Sequence, residues 1–197
     1  MKPVAVVLGS SSPRRREILE DMGIRFTVAH ADIDESALPG EAVDRTALRL
    51  AREKATKISL SHPGALVIGA DTLVALDGEM LGKPDDAPHA AAMLEKLSGK
   101  THDVFTAVAF ALADEGRADS FLCQSRVAFK TLSRAAIDAY VATGEPLGKA
   151  GAYAIQGKGA ALIEGHAGSF SNIVGLPARE VLRFFMAFGI ERLPWKD

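Results

Sequence analysis

The segment VIGADTLVALDGEMLGKP, residues 67–84, constrains the fold more than any other part of the chain. It opens as an apolar run, carries Asp71 and Thr72 inside that run, turns at Asp77-Gly78 and returns to Lys83. An Asp-Gly pair between apolar segments is a strong hairpin signal, and a two-residue loop fixes the register of the strands it joins. With Leu76 and Glu79 flanking the turn, Thr72 falls opposite Lys83, which sets an ammonium beside the Asp71 carboxylate. A carboxylate in an apolar strand must be solvated, paired or bound to a cation, because burying it alone is too costly. A strand-end salt bridge and a reactive site both meet that demand, and the rest of the chain decides between them.

A chain of 197 residues can bury a real core as a single domain, 1–197, or as two closely joined lobes. A net charge of −2 argues against general nucleic-acid binding, which needs clustered excess Lys and Arg. A local basic pocket remains compatible with that total. The single cysteine, Cys123, excludes an intramolecular disulfide and points to a reducing compartment. The apolar run near the start, VAVVL, is too short for a signal peptide. No stretch reaches the length needed to cross a bilayer. The expected location is the cytoplasm, with no membrane partner.

Val4 to Leu8 reads as a buried strand. Ser12 then supplies an N-cap and Pro13 the first position of a helix whose inward stripe is Ile18, Leu19 and Met22, closed by Gly23. Arg25 to Ala31 is a second strand candidate, followed by the acidic DIDES. A long helix is expected from about Glu41 to Ser59, with Val43, Ala47, Leu50 and Ile58 on one face. Lys54 falls inside that stripe, within about 20° of Val43. A lysine there must find an anion or snorkel to water.

Downstream, Pro88 to Leu97 reads as a helix, and Asp103 to Ala113 and Ala118 to Lys130 as long strands joined at Asp114-Glu115-Gly116. Ser133 caps a helix to about Thr143, stopped by Gly144. The Gly-rich GEPLGKAGAYAIQGKGA is expected to be a loop with a short strand, Ala160 to Glu164 to begin another strand, and GLP at 175–177 to open a final helix. The pattern favours an α/β or α+β fold around a mixed central sheet flanked by helices.

Three regions hold candidate chemistry. The turn GSSSPRR joins free helix-start N–H groups, three serines, Arg14 and Arg15, a good cradle for an anion. Carboxylates gather at Asp32, Asp34, Glu35 and Asp71, where one or two oxygen donors and a substrate phosphate would suit Mg²⁺. Most of the acids in DIDES read as a solvated face. In the segment KAGAYAIQGKG, Lys149 and Lys158 bring charge, Tyr153 a stacking surface and Gln156 a group able to read a base edge.

The blocks SSSPRRREIL, DIDES, LAREKA, VIGADTLV, LGKPDDAPHAAAMLEKLSGKTHDVFT, KAGAYAIQGKGA and SNIVGLP together resemble the Maf family of nucleoside triphosphate pyrophosphatases, from about residue 5 to residue 190. The forms around Asp71 and Gln156 look like the branch acting on dTTP and UTP. The resemblance implies an elongated α/β structure with a mixed sheet and a cleft between two lobes, often a homodimer. It implies hydrolysis of the α–β phosphoanhydride bond, with Mg²⁺ or Mn²⁺ held by Glu35 and Asp71. Asp71 would be the proton acceptor, and Ser10, Arg14, Arg15, Glu35, Lys54 and Lys83 would line the phosphate and metal site. Lys54 and Lys83 would be catalytic with Asp71. Arg14, Thr72 and Gln156 match positions tied to base choice. Phe170 stands where the family often has Tyr. The competing expectations are the same chemistry on 7-methyl-GTP and a non-catalytic nucleotide sensor acting in control of division.

Overall fold

The computed structural model describes residues 4–190. Strand β1 (Ala5–Gly9) is buried from Val6 onward, as its unbroken apolar run demands. Helix α1 (Pro13–Asp21) starts at the Ser12-Pro13 signal, with the Ser12 hydroxyl accepting from the Arg15 backbone N–H at 3.5 Å. Strand β2 is only Thr27–Val28. Helix α2 (Val43–Ser59) buries Ala47, Leu50, Ala51, Lys54, Ala55 and Ile58 along one face. The hairpin of β3 (Ala65–Leu76) and β4 (Glu79–Leu81) follows, then α3 (Ala87–Leu97). Strands β5 (Thr101–Leu112) and β6 (Arg117–Phe129), helix α4 (Arg134–Val141), β7 (Ile163–Ala167), α5 (Phe170–Val174) and α6 (Ala178–Ala187) complete the order.

The seven strands form one mixed sheet in the order β2-β1-β3-β5-β6-β7, with β4 beside β3. β1 is parallel to both β2 and β3, and the β3-β5, β5-β6 and β6-β7 pairs are antiparallel. β3 is the axis. One of its edges is paired with β5 from Val67 to Ala75. The other is shared: β1 covers Ala65 to Gly69, and β4 covers Val74 to Leu76. Between Gly69 and Val74 that edge carries no strand, and Asp71 and Thr72 sit in the gap.

Alternation along β3 sends these two residues to opposite faces of the sheet. Asp71 shares the face covered by α2, where Ala47, Ala51 and Ala55 pack on Ala107, Ala109 and Ala111 of β5. Thr72 shares the other face, whose core falls into two clusters. Leu8, Leu66, Ile68, Phe110 and Phe185 form one, and Val74, Leu94, Phe129, Tyr153 and Ile173 belong to the other. On β3 the boundary between them falls at Thr72. The face of the sheet that Thr72 shares thus carries two apolar cores, one on each side of that residue.

Several expectations need correction. The hairpin register is as read, with Val74 opposite Leu81 and Leu76 opposite Glu79. The ladder stops there, so Thr72 faces Thr106 of β5 and not Lys83. Gly82 turns its carbonyl to the Gly151 N–H at 3.0 Å, and Pro84 has no donor with which to continue a strand. The strand expected from Arg25 to Ala31 shrinks to two residues. The Gly-rich segment has no strand but two 3₁₀ turns, Ala150–Ala152 and Lys158–Leu162, and β7 begins only at Ile163. Helix α5 was not anticipated, since one short helical turn is too brief to show a period.

Gly69 sets how closely α2 lies on the sheet. A Cβ there would stand 2.3 Å from the Ala51 carbonyl oxygen and 2.6 Å from the Ala55 nitrogen, both backbone atoms that cannot rotate away. Gly69→Ala should therefore lift α2, with a loss of about 3 kcal/mol in urea denaturation, at the upper end of ordinary overpacking. Unchanged stability in that variant would contradict the close approach.

Candidate active site

The close seat of α2 brings Lys54 onto Asp71. The Lys54 Nζ donates to Asp71 Oδ1 at 2.6 Å and lies 2.7 Å from Glu35 Oε1. Both Lys54 and Asp71 are buried, at 7% exposure each. Lys54 thus finds its anions inside the fold and does not snorkel to water. Glu35 comes from the acidic loop before α2 and is half-exposed, with Oε2 3.8 Å from the Lys83 ammonium. Burial pushes the Glu35 carboxyl up, but the Lys54 hydrogen bond and charge, with Lys83 and Arg15, carry it below its ordinary value. Asp32 and Asp34 are exposed, as expected of a solvated face. The second oxygen of Asp71, Oδ2, is buried and has no hydrogen-bond partner among the described residues. A carboxylate oxygen left without a partner in a buried site is costly, so this atom calls for a proton donor or a cation.

Across the gap, Arg15 replaces the missing strand. Its Nη1 donates to the Ala70 carbonyl at 3.0 Å, the backbone group an adjacent strand would otherwise satisfy. The same nitrogen reaches Ser10 Oγ at 3.0 Å, Nη2 reaches Thr72 Oγ1 at 3.0 Å and Nε reaches the Gly175 carbonyl at 2.8 Å. A rigid five-donor fork suits this task, and lysine would not. Burial lowers the guanidinium's pKa, with Asp71 opposing that shift. Thr72 continues the network to Thr106 Oγ1 at 3.0 Å, which donates to the Asn172 carbonyl at 2.9 Å. Arg15 is a strut joining α1, β3 and the turn before α6, and it uses most of its donors in doing so.

One cavity of about 650 Å³ spans the gap and contacts both faces of the sheet. At its polar end lie Ser10, Arg14, Glu35, Lys54, Asp71 and Lys83; its opposite wall includes Val74, Val104, Tyr153, Ile155 and Ile173. Two carboxylates thus line the cavity with five Lys and Arg side chains, counting Arg15 and Lys149, and the balance favours an anion of several charges. Gln156 is exposed and lies outside the cavity lining. Tyr153 is part of the cavity's apolar wall and not an exposed side chain. It is 5% exposed, its hydroxyl is 2.8 Å from His102 Nε2, and its ring packs edge-on against Phe129. The signal for its burial was the apolar AYAI around it. Lys149 lines the cavity, tethered by Nζ to the Glu145 carbonyl at 2.6 Å, whereas Lys158 is exposed. Cys123, half-buried in β6, has its thiol pushed up by burial, which disfavours the thiolate.

No cluster of three or more His, Cys, Asp or Glu suited to a metal occurs among the described residues. The donors present are two carboxylates, Glu35 and Asp71, with Asp71 Oδ2 still open. That set fits Mg²⁺ or Mn²⁺, which take one or two carboxylates and complete their shell with water and substrate phosphate. It does not fit zinc.

A cation-lined cleft with a buried, partnerless carboxylate oxygen, set at a break in a mixed sheet, is suited to an anionic ligand. A family model described as "Maf-like protein" matches residues 5–188, and the chain belongs to that family. A dTTP/UTP pyrophosphatase of Myxococcus xanthus is 52% identical over 191 residues, covering 97% of this chain and 95% of its own. One from Anaeromyxobacter dehalogenans (strain 2CP-1) is 50% identical, covering 97% of each chain. One from Symbiobacterium thermophilum is 47% identical, covering 93% and 94%. Among solved structures, a HAM1 protein of Coxiella burnetii overlaps 64% of this chain and 73% of its own at a TM-score of 0.44 and 15% identity, a likeness too loose to carry an argument.

His102 was missed by sequence reasoning, and it holds the apolar wall through Tyr153. Burial pushes its imidazole down to about 4, against the pull of Asp103. The folded state therefore binds fewer protons than the unfolded chain between about pH 6.5 and pH 4, and His102 costs stability as pH falls through that window. The drop corresponds to roughly 3 kcal/mol. Denaturation of wild type and His102→Gln at pH 7 and pH 4 should show wild type losing that much more than the variant. A pH-independent difference would contradict the buried neutral imidazole.

Proposed function

We propose that this protein hydrolyses dTTP and UTP between the α and β phosphates, giving the monophosphate and pyrophosphate. The observation that carries the reading is Asp71: it lines a cavity ringed by Arg14, Arg15, Lys54 and Lys83, and its buried Oδ2 has no hydrogen-bond partner among the described residues. Relatives bearing the name dTTP/UTP pyrophosphatase share about half of the sequence over nearly its whole length, which supports the choice of nucleotide.

The cavity shape suggests the pose. The triphosphate lies along the polar end, where Arg14 and Lys83 meet its oxygens and the Ser10 hydroxyl donates to it. The base lies against the apolar wall. Asp71 accepts a proton from the water that attacks the α phosphorus, and pyrophosphate leaves. Lys54 fixes the Asp71 carboxylate through Oδ1 and leaves Oδ2 as the oxygen that accepts the proton. Charge developing on the phosphate oxygens is met by cations already in place, which is where such sites gain most of their rate. Glu35, with Asp71 beside it, would hold Mg²⁺ or Mn²⁺; when bound, the metal neutralises phosphate charge and acidifies water. The same reading carries a cytoplasmic homodimer without a nucleic-acid partner.

Pyrophosphate release should be measured with dTTP, UTP, 7-methyl-GTP and ATP in Mg²⁺ and in Mn²⁺. The expected outcome is turnover of dTTP and UTP above the others, abolished by EDTA and restored by metal. Preference for 7-methyl-GTP would move the chain to other bases, and binding without turnover would make it a sensor. Asp71→Asn should lower kcat by about 10³ or more while changing nucleotide affinity only a few-fold. Retained rates in that variant would remove Asp71 from the mechanism.

A further inference from the structure

The wall that would receive the base is held from behind by a group outside the cavity lining. Glu145 follows α4, and its carboxylate collects three donors from different parts of the chain. Oε1 accepts from the Tyr140 hydroxyl at 2.9 Å and from the Gly159 N–H at 2.9 Å, and Oε2 accepts from the Lys158 N–H at 3.0 Å. The Tyr140 oxygen in turn accepts from the Ala154 N–H at 3.2 Å. The carboxyl is pushed up by burial, yet the Gly159 and Lys158 N–H groups and Tyr140 bring it below its ordinary value. It is therefore the anion that these donors are arranged to hold.

The chain between the anchor points, residues 145–159, is wound tightly around this clasp. A Cβ on Gly159 would meet the Ala154 carbonyl at 2.3 Å and the Tyr140 hydroxyl at 2.8 Å, and one on Gly157 would meet Glu145 Oε2 at 2.8 Å. Inside the loop, Ala152 is fully buried with φ at 59°, a left-handed conformation that a residue with a side chain adopts only when its surroundings hold it there. Gly151, at φ 70°, donates to the Gly82 carbonyl at 3.0 Å, next to Lys83. Lys149, Ala150, Tyr153 and Ile155, all on this loop, line the cavity.

We propose that Glu145, with Tyr140, is a positioning residue for base selection: it holds the 148–156 loop in the strained conformation that shapes the wall opposite the phosphate end. The assignment rests on the pyrophosphatase reading and deepens it. Removing the clasp should loosen the wall and leave the Lys54–Asp71–Glu35 end as it is. Loss of a well-placed wall far from the reacting atoms shows as weaker and less selective binding.

The test compares wild type, Glu145→Gln and Tyr140→Phe with UTP, dTTP and ATP, and adds inorganic tripolyphosphate as a competitive inhibitor that carries no base. Thermal melting establishes the folded fraction of each. The expected result is a rise of about tenfold or more in KM for UTP and dTTP, a matching fall in discrimination against ATP, kcat held within about threefold and an unchanged tripolyphosphate inhibition constant. Glu145→Asp should recover part of the KM. A purely structural role would lower kcat with the folded fraction and leave KM and the UTP-to-ATP ratio where they were, which would overturn the assignment. A wild type that releases pyrophosphate from no nucleotide would overturn the reading beneath it and this assignment together.

Discussion

The buried contact between Lys54 and Asp71 is the constraint on which the rest of the structure depends. Two opposite charges removed from water gain from each other about what they lose in solvation, so such a pair contributes little net stability. Taking away either partner leaves an uncompensated charge, at a cost of about 3–5 kcal/mol. The pair therefore persists only if helix and strand are locked together. Gly69, which admits the α2 backbone against β3, and the alanines of α2 and β5 provide that lock. The pairing leaves one carboxylate oxygen, Asp71 Oδ2, with no partner among the described residues.

The second constraint is the break in the sheet edge. β1 ends at Gly9 and β4 begins its pairing at Val74, so a stretch of β3 has backbone groups that no strand satisfies. An unpaired edge inside a protein must be covered. Here the Arg15 guanidinium covers it, binding the Ala70 carbonyl and Thr72 at once. The break does two things for function. It lets the cavity touch both faces of the sheet, and it sets Asp71 and Thr72, neighbours in sequence, on different faces beside that cavity. A continuous edge strand would have filled the cleft.

What the amino-acid order revealed and what it hid follow from range. Lys54 was legible because applying the helical period placed a charge in an apolar stripe, and only a buried anion or snorkelling could explain it. The Asp77-Gly78 turn was legible because its chemistry is local, and it gave the hairpin register correctly. Where that ladder would stop was not legible, because the end of β4 depends on Gly82 bonding to Gly151, far along the chain. Arg15 read as a phosphate ligand because a helix start with two arginines suggests an anion. Its role as a strut needed the Ala70 carbonyl and Gly175, which no local pattern reports. Tyr153 and Gln156 were placed by residue type alone; burial by His102 and Phe129 makes the first a wall, and exposure leaves the second outside the cavity. Glu145 gave no signal, since one acid in a Gly-rich loop looks like ordinary surface.

The mechanism requires a ligand lying through the break in the sheet, with its phosphates beside Lys54 and Asp71 and its base against the apolar wall. A crystal structure of the protein with a UTP analogue carrying a non-hydrolysable α–β linkage and Mg²⁺ tests this directly. The account predicts the α phosphorus beside Asp71 Oδ2, with the uracil ring against the wall containing Val74 and Tyr153. An analogue bound wholly on one face, or with its phosphates away from Lys54 and Asp71, would contradict it.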